Sequence, residues 1–165
     1  MFDKVTLQKL YRYCYSLTCD EDNAYDLLQG ALEKFLMVNE TVEQPGAYIK
    51  KIIYNRFIDE CRREKIVQFE SIDDADLPAD FDVKTLESMF VSNDIVKHIL
   101  QSLEPEERNI MYFWAIEGFS TTEIAIQLEM PKGTVLSKIY RMRKKLIEQF
   151  GDDSKGVMEV CYEKR

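Results

Sequence analysis

The chain has 165 residues, of which 45% are hydrophobic, and a formal net charge of −8. This length is sufficient to bury a core and is also compatible with two small domains. No apolar run approaches the ~18 residues that a membrane span requires, and the N-terminus lacks the basic-then-apolar order of a signal peptide. We therefore expect a cytoplasmic chain that does not insert into a membrane.

Four cysteines, Cys14, Cys19, Cys61 and Cys161, are scattered along the chain without metal-type spacing. Because no secretion signal is evident, we expect reduced thiols. The sequence contains no Gly-rich phosphate loop, no nucleophile-elbow motif and no carboxylate–histidine constellation. We therefore expect no catalytic residue, no metal, no cofactor and no enzymatic activity.

The first 66 residues predict three helices, because apolar residues recur there at helical spacing. The three stripes contain Leu7, Leu10, Tyr11, Cys14 and Leu17; Ala24, Leu27, Leu28, Ala31, Leu32, Phe35 and Leu36; and Ile49, Ile52, Ile53, Phe57 and Cys61. Asp20 is expected to cap the second helix. Pro45 is expected to open the third, after a polar loop over Asn39–Gln44.

A strongly acidic stretch follows, in which Val67 to Asp94 contain eight acidic residues and one basic residue. Its apolar residues are irregularly spaced, which predicts a linker over residues 67–94. The linker would separate two small all-α domains, residues 1–66 and 95–150, and a frayed tail would follow over residues 151–165. Positive charge outside the linker can act locally, because the local field rather than the net charge steers a polyanion.

The C-terminal domain ends in a pattern typical of a helix-turn-helix. Ser120 and Glu123 form a capping box that starts a short helix, and Pro131 favours the start of a second. The second helix has a core stripe of Val135, Ile139, Met142 and Leu146. Between Pro131 and Leu146 lie six basic residues and no acidic one. A short helix, a turn and a basic helix indicate a recognition helix for the major groove of DNA.

A second basic segment, Ala47 to Ile66, contains six basic and three acidic residues with interleaved aromatic residues. Aromatic rings beside a basic groove are typical of single-strand binding. Phe57 lies on the apolar stripe and is expected in the core, whereas core and functional roles remain open for Tyr48 and Tyr54. The residues Asn55, Asp59 and Arg62 share a polar face, where they either contact base edges or pair with one another.

Both segments, in this order, resemble the bacterial sigma factors of the small, extracytoplasmic-function type, over roughly Leu10 to Phe150. Asp26-Leu27-Leu28-Gln29 is similar to the family's D-L-[LV]-Q run. The A-W-L-x-x-I-x-x-N-x-x-x-D-x-x-R-R pattern is matched at Ala47, Ile49, Ile52, Asn55, Asp59, Arg62 and Arg63. The family's C-terminal pattern is matched at Arg108, Gly118, Ser120, Glu123, Ile124, Ala125, Leu128, Pro131, Gly133, Thr134, Val135, Ser137, Arg141 and Arg143. Departures are Gly30 where an acid is usual, Leu32 where an aromatic is common, and Tyr48 in place of tryptophan.

The resemblance implies a dissociable specificity subunit of RNA polymerase that directs promoter-specific initiation. It implies core-polymerase binding, to the clamp and flap regions, by Asp26, Leu27, Gln29, Gly30 and Glu33. It implies contacts to the duplex and melted minus-ten element by Tyr48, Lys51, Asn55, Asp59, Arg62 and Arg63, with the Asn39–Gln44 loop holding a flipped base. It implies minus-thirty-five recognition by Ser120, Thr121, Lys132, Thr134, Ser137, Lys138, Arg141 and Arg143.

The resemblance further implies an anti-sigma partner. It also implies two basic surfaces that are held apart by the linker and meet separate stretches of one duplex. The linker itself either lies along a basic channel of the polymerase or only adds solubility. Two other functions remain open: a stand-alone helix-turn-helix regulator, or a sigma-like interaction protein without initiation activity.

Overall fold

The computed structural model describes residues 2–38, 42–70 and 94–150, and within these ranges all regular elements are helical. This confirms the all-α fold class. Most of the predicted linker, residues 39–41 of the polar loop and the tail after residue 150 lie outside the described residues. None of the helices described is both long enough and apolar enough to cross a membrane.

Three helices form the N-terminal part: α1 (Lys4–Thr18), α2 (Glu21–Leu36) and α3 (Pro45–Glu70). The Asp20 carboxylate accepts a hydrogen bond from the Asn23 N–H at 2.9 Å, so the predicted cap of α2 is confirmed. The turn between α1 and α2 places Cys19 at φ 56°, in the left-handed region. The long third helix begins at Pro45 as predicted, but it extends to Glu70, four residues past the predicted domain end at residue 66.

The predicted stripes of these helices form the core between them. Their fully buried members are Leu10, Cys14, Leu17, Ala24, Leu27, Ala31, Ile49 and Ile53. Phe57 is also buried, which confirms its expected place in the core. Leu36 was predicted on the apolar stripe and is instead 73% exposed. It is the last residue of α2, at the end of the stripe.

The C-terminal part contains α4 (Asp94–Ser102), α5 (Pro105–Met111), a π-helical turn (Tyr112–Ile116), α6 (Thr121–Gln127) and α7 (Lys132–Phe150). Gly118 adopts φ 71° and ends the π-helical turn, which confirms its role as a helix terminator. Between α6 and α7 the residue Glu129 takes φ 54° and reverses the chain. Together α6 and α7 form the predicted helix-turn-helix.

The core stripe of α7 is confirmed, because Val135, Ile139, Met142 and Leu146 are all buried. They pack in one hydrophobic cluster with α5 and with Ile124 of α6. The Arg108 side chain links α4 and α5, since its Nε donates to the backbone oxygens of Leu100 at 2.7 Å and Leu103 at 3.0 Å.

The two parts pack directly against each other through α1 and α5. The Tyr13 hydroxyl donates to Asn109 Oδ1 at 2.7 Å, and the rings of Tyr13 and Tyr112 lie 4.7 Å apart between centroids. Arg108 Nη1 also donates to the backbone oxygen of Leu17 at 2.5 Å. Apolar and aromatic residues therefore join the two parts into one core in this structure.

The capping box of α6 gives a first prediction. Ser120 Oγ accepts from the Glu123 N–H at 3.3 Å, and the Ser120 N–H donates to Glu123 Oε2 at 2.8 Å. Replacing Ser120 by Ala removes the first bond and should lower the free energy of unfolding by about 1 kcal/mol in urea denaturation. Thr122→Ala, at an exposed site in the same turn, is the control and should not destabilise. Equal losses in both variants would contradict a stabilising cap.

The same box predicts a pH dependence. The hydrogen bonds with Ser120 lower the pKa of Glu123 below its usual range. A carboxylate with a lowered folded pKa stabilises the fold above its unfolded pKa, and that contribution is lost as the pH falls through the folded value. The stability difference between the wild type and Glu123→Gln should therefore shrink between neutral pH and pH values below the carboxyl pKa. If this stability difference does not change with pH, the charge of Glu123 does not contribute to the cap.

Candidate nucleic-acid interface

The outer face of α7 is exposed and basic. Ser137, Arg141 and Lys144 are exposed there, on the side of the helix opposite the buried stripe, and Lys132 is exposed at its first turn. The Ser137 hydroxyl donates to the Gly133 backbone oxygen at 2.7 Å, and Arg141 Nε donates to the Ser137 backbone oxygen at 3.3 Å. Arg141 is exposed, and a base-edge or phosphate contact requires an exposed guanidinium.

Two exposed apolar residues on this face were missed by the sequence analysis. Leu136 is 48% exposed and Tyr140 is 70% exposed. They are one turn apart, and Tyr140 lies three positions after Ser137, so this apolar strip borders the polar face at Ser137. Apolar side chains on a recognition helix can contact the methyl group of thymine. Their exposure could have been predicted from the sequence, because both residues lie outside the Val135–Ile139 stripe.

Other predicted residues of this module already have partners. Lys138 Nζ lies 2.5 Å from Glu106 Oε2 of α5, and its side chain is largely buried. Ser120 is committed to the capping box. Thr121, Thr134 and Arg143 are half-buried. The predicted minus-thirty-five set therefore divides into an exposed part, Lys132, Ser137 and Arg141, and a part that supports the helix-turn-helix.

The polar face of α3 carries the second group of predicted residues. Asn55, Asp59, Arg62 and Arg63 are all exposed. Arg62 Nη1 lies 3.6 Å from Asp59 Oδ1, so these two residues pair with one another, one of the two possibilities that the spacing left open. The pair is well exposed on both sides, and such pairs contribute only about 0–1 kcal/mol. A phosphate can therefore compete for Arg62.

The two tyrosines of this segment differ in their surroundings. Tyr48 is 37% exposed and its ring centroid lies 6.1 Å from that of Phe35, at an angle of 56° between the ring planes. Tyr54 is half-buried in a cleft between the two parts, where it lies beside Tyr13 and Asn109. Burial raises the pKa of the Tyr54 hydroxyl to about 12. Tyr48 is available to a base and Tyr54 is not in this arrangement.

Two lysines of α3 pair with acids of the C-terminal part. Lys50 Nζ lies 2.7 Å from Glu117 Oε1, and both side chains are mostly buried. Lys51 Nζ lies 2.6 Å from Glu129 Oε1, and both of these are exposed. Lys51 was predicted to contact DNA, so its carboxylate partner from another part of the chain is a feature that sequence reasoning missed.

The predicted polymerase-binding surface lies on α2. Asp26, Gln29 and Glu33 are exposed, and Gln29 Nε2 donates to Glu33 Oε1 at 3.1 Å. Leu27, also predicted for this surface, is 1% exposed and lies in the core beneath it. Its side chain faces α1 and α3 within the core and supports this surface from beneath.

Gly30 has a specific neighbour. A Cβ atom at this position would overlap the guanidinium group of Arg56 on α3. The absence of a side chain at residue 30 therefore makes room for Arg56, whose Nη2 lies 3.9 Å from Glu60 Oε1. Where related sequences are expected to place an acid on α2, this chain has an arginine from the neighbouring helix.

Comparisons with known families match both parts of the chain. The family description "Sigma-70 region 2" matches residues 4–66, and "Sigma-70, region 4" matches residues 93–146. The chain is 32% identical over 151 residues to the ECF RNA polymerase sigma factor SigE of Mycolicibacterium smegmatis, with 84% of this chain aligned. It spans 56% of the length of that relative.

Two further relatives align over most of their lengths. RNA polymerase sigma-E factor of Streptomyces coelicolor is 28% identical, with 85% of this chain and 78% of that protein covered. The RNA polymerase sigma factor SigV of Bacillus subtilis is 27% identical, with 83% and 81% covered. The solved structure of the sigma factor RpoE from Bartonella quintana, in complex with the anti-sigma factor NepR, superposes with a TM-score of 0.68. It is 22% identical and covers 90% of this chain and 94% of that one, which shows a shared fold.

Proposed function

The chain belongs to the sigma-70 family of RNA polymerase sigma factors, and from this premise we propose that it is an alternative sigma factor of the extracytoplasmic-function type. It binds core RNA polymerase and directs initiation at specific promoters. The observation that carries the proposal is the order of two exposed basic helices, α3 in the region 2 match and α7 in the region 4 match. Sigma factors are not enzymes in general, which agrees with the expected lack of catalytic residues.

Region 2, within residues 1–66, binds the polymerase clamp through the exposed face of α2. Asp26, Gln29 and Glu33 supply polar and acidic contacts there, and Arg56 fills the place above Gly30. Because a guanidinium replaces the usual carboxylate at this point, the partner surface of the polymerase meets a local positive charge. Leu27 maintains the spacing of the surface without touching the partner.

The α3 helix carries the minus-ten contacts. Asn55, Asp59, Arg62 and Arg63 face the duplex edge of that element, and Lys51 binds a phosphate once Glu129 has moved away. Tyr48 stacks on a melted base, because its ring is partly exposed and stacking tolerates any base. The loop at Asn39–Gln44 holds the flipped base.

Region 4, within residues 95–150, places α7 in the major groove of the minus-thirty-five element. Lys132, Ser137 and Arg141 contact phosphates and base edges, while Leu136 and Tyr140 add apolar contacts. Lys138, Thr121 and Thr134 hold the helix in position, and the region also docks on the polymerase flap. An anti-sigma protein holds the chain inactive in the cytoplasm, as the RpoE–NepR complex illustrates for a structural relative.

Reconstituted transcription tests this function. Run-off transcription with purified core polymerase and a promoter library should yield products only when the full chain is added. Binding to duplex DNA without polymerase, at symmetric sites, would instead indicate a stand-alone regulator. Binding to polymerase without any product from the library would indicate an interaction protein, and either result would overturn the proposal.

Arg141 should contribute directly to promoter binding. Arg141→Ala is expected to weaken binding of the holoenzyme to its promoter by about 1–3 kcal/mol, if its guanidinium reaches a base edge. Lys138→Ala should cost less, because its ammonium group is already paired with Glu106. Fluorescence anisotropy with a labelled promoter at fixed salt measures both.

The matched control for this prediction is Lys9→Ala, at an exposed site of α1. It removes one positive charge from the chain without touching α3 or α7. If Lys9→Ala loses as much affinity as Arg141→Ala, Arg141 contributes only through the net charge of the chain. If Lys138→Ala loses more promoter affinity than Arg141→Ala, the assignment of Arg141, rather than Lys138, as the direct DNA contact is contradicted.

Tyr48 should act through its ring plane. Tyr48→Ala is expected to disfavour the melted promoter by about 1–3 kcal/mol, the range for base–aromatic stacking, whereas Tyr48→Phe keeps the ring and should remain near the wild type. A fluorescent base analogue in the minus-ten element reports the melted fraction. If Tyr48→Phe is as defective as Tyr48→Ala, stacking is not the contribution of this residue. Thermal unfolding of both variants measures any loss of packing against Phe35.

A further inference from the structure

Gly30 lies inside α2, at a position where no turn and no positive φ calls for glycine. The helix continues through it from Glu21 to Leu36, and the glycine with a positive φ among the described residues is Gly118. Glycine in a helix interior is less favourable than alanine, because it loses more backbone freedom on folding. The reason for a glycine at this position therefore lies outside its own helix.

The guanidinium group of Arg56, on α3, occupies the space above Gly30. A Cβ atom on residue 30 would lie 2.4 Å from Arg56 Nη2 and 2.5 Å from Arg56 Cζ, well inside van der Waals contact. Any larger residue at position 30 would therefore displace the guanidinium. Because this group is the end of a flexible side chain, the glycine determines where the positive charge lies rather than whether the two helices pack.

Arg56 has few partners within its own chain. Its Nε atom is buried and has no hydrogen-bond partner among the described residues. Its Nη2 lies 3.9 Å from Glu60 Oε1, which is longer than a hydrogen bond, and the Arg56 side chain is 39% exposed. An exposed ion pair of this kind contributes little to stability. The guanidinium, with five N–H donors, can therefore bind a further acceptor at its exposed end.

The surroundings of Arg56 favour a protein carboxylate as that acceptor. Asp26 and Glu33 are exposed on α2, about one turn before and after Gly30. Together with Glu60 on α3, these carboxylates repel a polyanion such as DNA more strongly than they repel a single acidic side chain. A carboxylate also matches the planar guanidinium with two parallel hydrogen bonds.

We propose that Arg56, positioned by Gly30, is a specificity-determining contact of this chain with RNA polymerase and binds a carboxylate on the polymerase clamp. This inference rests on the proposed function and names the chemistry of one contact in that interface. The exposed end of the guanidinium donates to the carboxylate, beside the contacts of Asp26, Gln29 and Glu33. A clamp with a neutral or basic group at this point is a poorer partner, because the guanidinium then loses its acceptor or meets a like charge.

Binding of the full chain to core RNA polymerase, without DNA, tests the contact. Fluorescence anisotropy of the labelled chain, titrated at fixed salt with core enzyme from the source organism, gives the dissociation constant. Arg56→Ala should weaken binding by about ten- to hundredfold, the range for hydrogen bonds to a charged group. Lys9→Ala removes the same charge at an exposed site of α1 and should remain within about twofold of the wild type. Equal losses in these two variants would overturn the contact.

The sign of the partner's charge is tested at the same position. If the partner is a carboxylate, Arg56→Glu should bind more weakly than Arg56→Gln, because it brings two negative charges together. If the partner is basic, Arg56→Glu should instead bind more tightly than the wild type. That result would overturn the proposal.

A double-mutant cycle tests the positioning role of Gly30. Gly30→Ala displaces the guanidinium and should weaken binding by about threefold or more. Its urea denaturation midpoint should not fall, because alanine favours the helix. In the Arg56→Ala background the same change should cost no affinity, because there is no guanidinium to displace. An equal loss in both backgrounds would show that the added methyl group itself disturbs the interface, and would overturn the positioning role.

The same titrations separate this inference from the proposed function. A wild-type chain without measurable affinity for the polymerase would overturn the proposed function and the contact with it. A wild-type chain that binds the polymerase, together with Arg56 variants that bind equally well, would leave the function in place and overturn the contact alone.

Discussion

The segment Asn109–Phe113 is packed from two sides, and the rest of the structure depends on this double contact. All five of its residues are buried. On one side, α5 packs against α7 and fixes the helix-turn-helix; on the other, it packs against α1 of the N-terminal domain. Exposing both sides of this segment to water would cost a large amount of free energy, at roughly 25 cal/mol per Å² of apolar surface. This explains why two domains with separate ligands share one core.

Hydrogen-bonding groups at this contact fix how the two domains are oriented relative to each other. Burial raises the pKa of Tyr13 well above its usual range, so the hydroxyl stays protonated and donates to Asn109 at any physiological pH. The buried Asn109 side chain also lies beside Tyr54, and a hydrogen bond between them lowers the pKa of the Tyr54 hydroxyl against the larger effect of burial. These specific hydrogen bonds fix one docking geometry between the two domains.

The helix caps and the buried stripe of α7 could be predicted from the sequence because each depends on residues that are close together along the chain. The caps at Asp20 and Ser120 and the buried stripe of α7 depend on residues within four positions of each other. The burial of Leu27 and the pairing of Lys138 with Glu106 could not be predicted, because motif spacing does not show which side of a helix meets a neighbour. The Tyr13–Asn109 bond spans 96 positions, and the Lys51–Glu129 bond spans 78. No periodicity within one helix could have identified such partners.

The chain has a net charge of −8 and yet has basic faces on α3 and α7. These two facts are compatible because acidic residues near those faces form ion pairs with the basic residues and can be displaced from them. Glu129 holds Lys51, Asp59 holds Arg62, and Glu106 holds Lys138. The two exposed pairs are weak in water, so a phosphate, which brings more negative charge and several oxygens, can displace either carboxylate. The Lys138–Glu106 pair is more buried and therefore more persistent. The acids thus lower the affinity for any polyanion and select for a ligand that replaces several pairs at once.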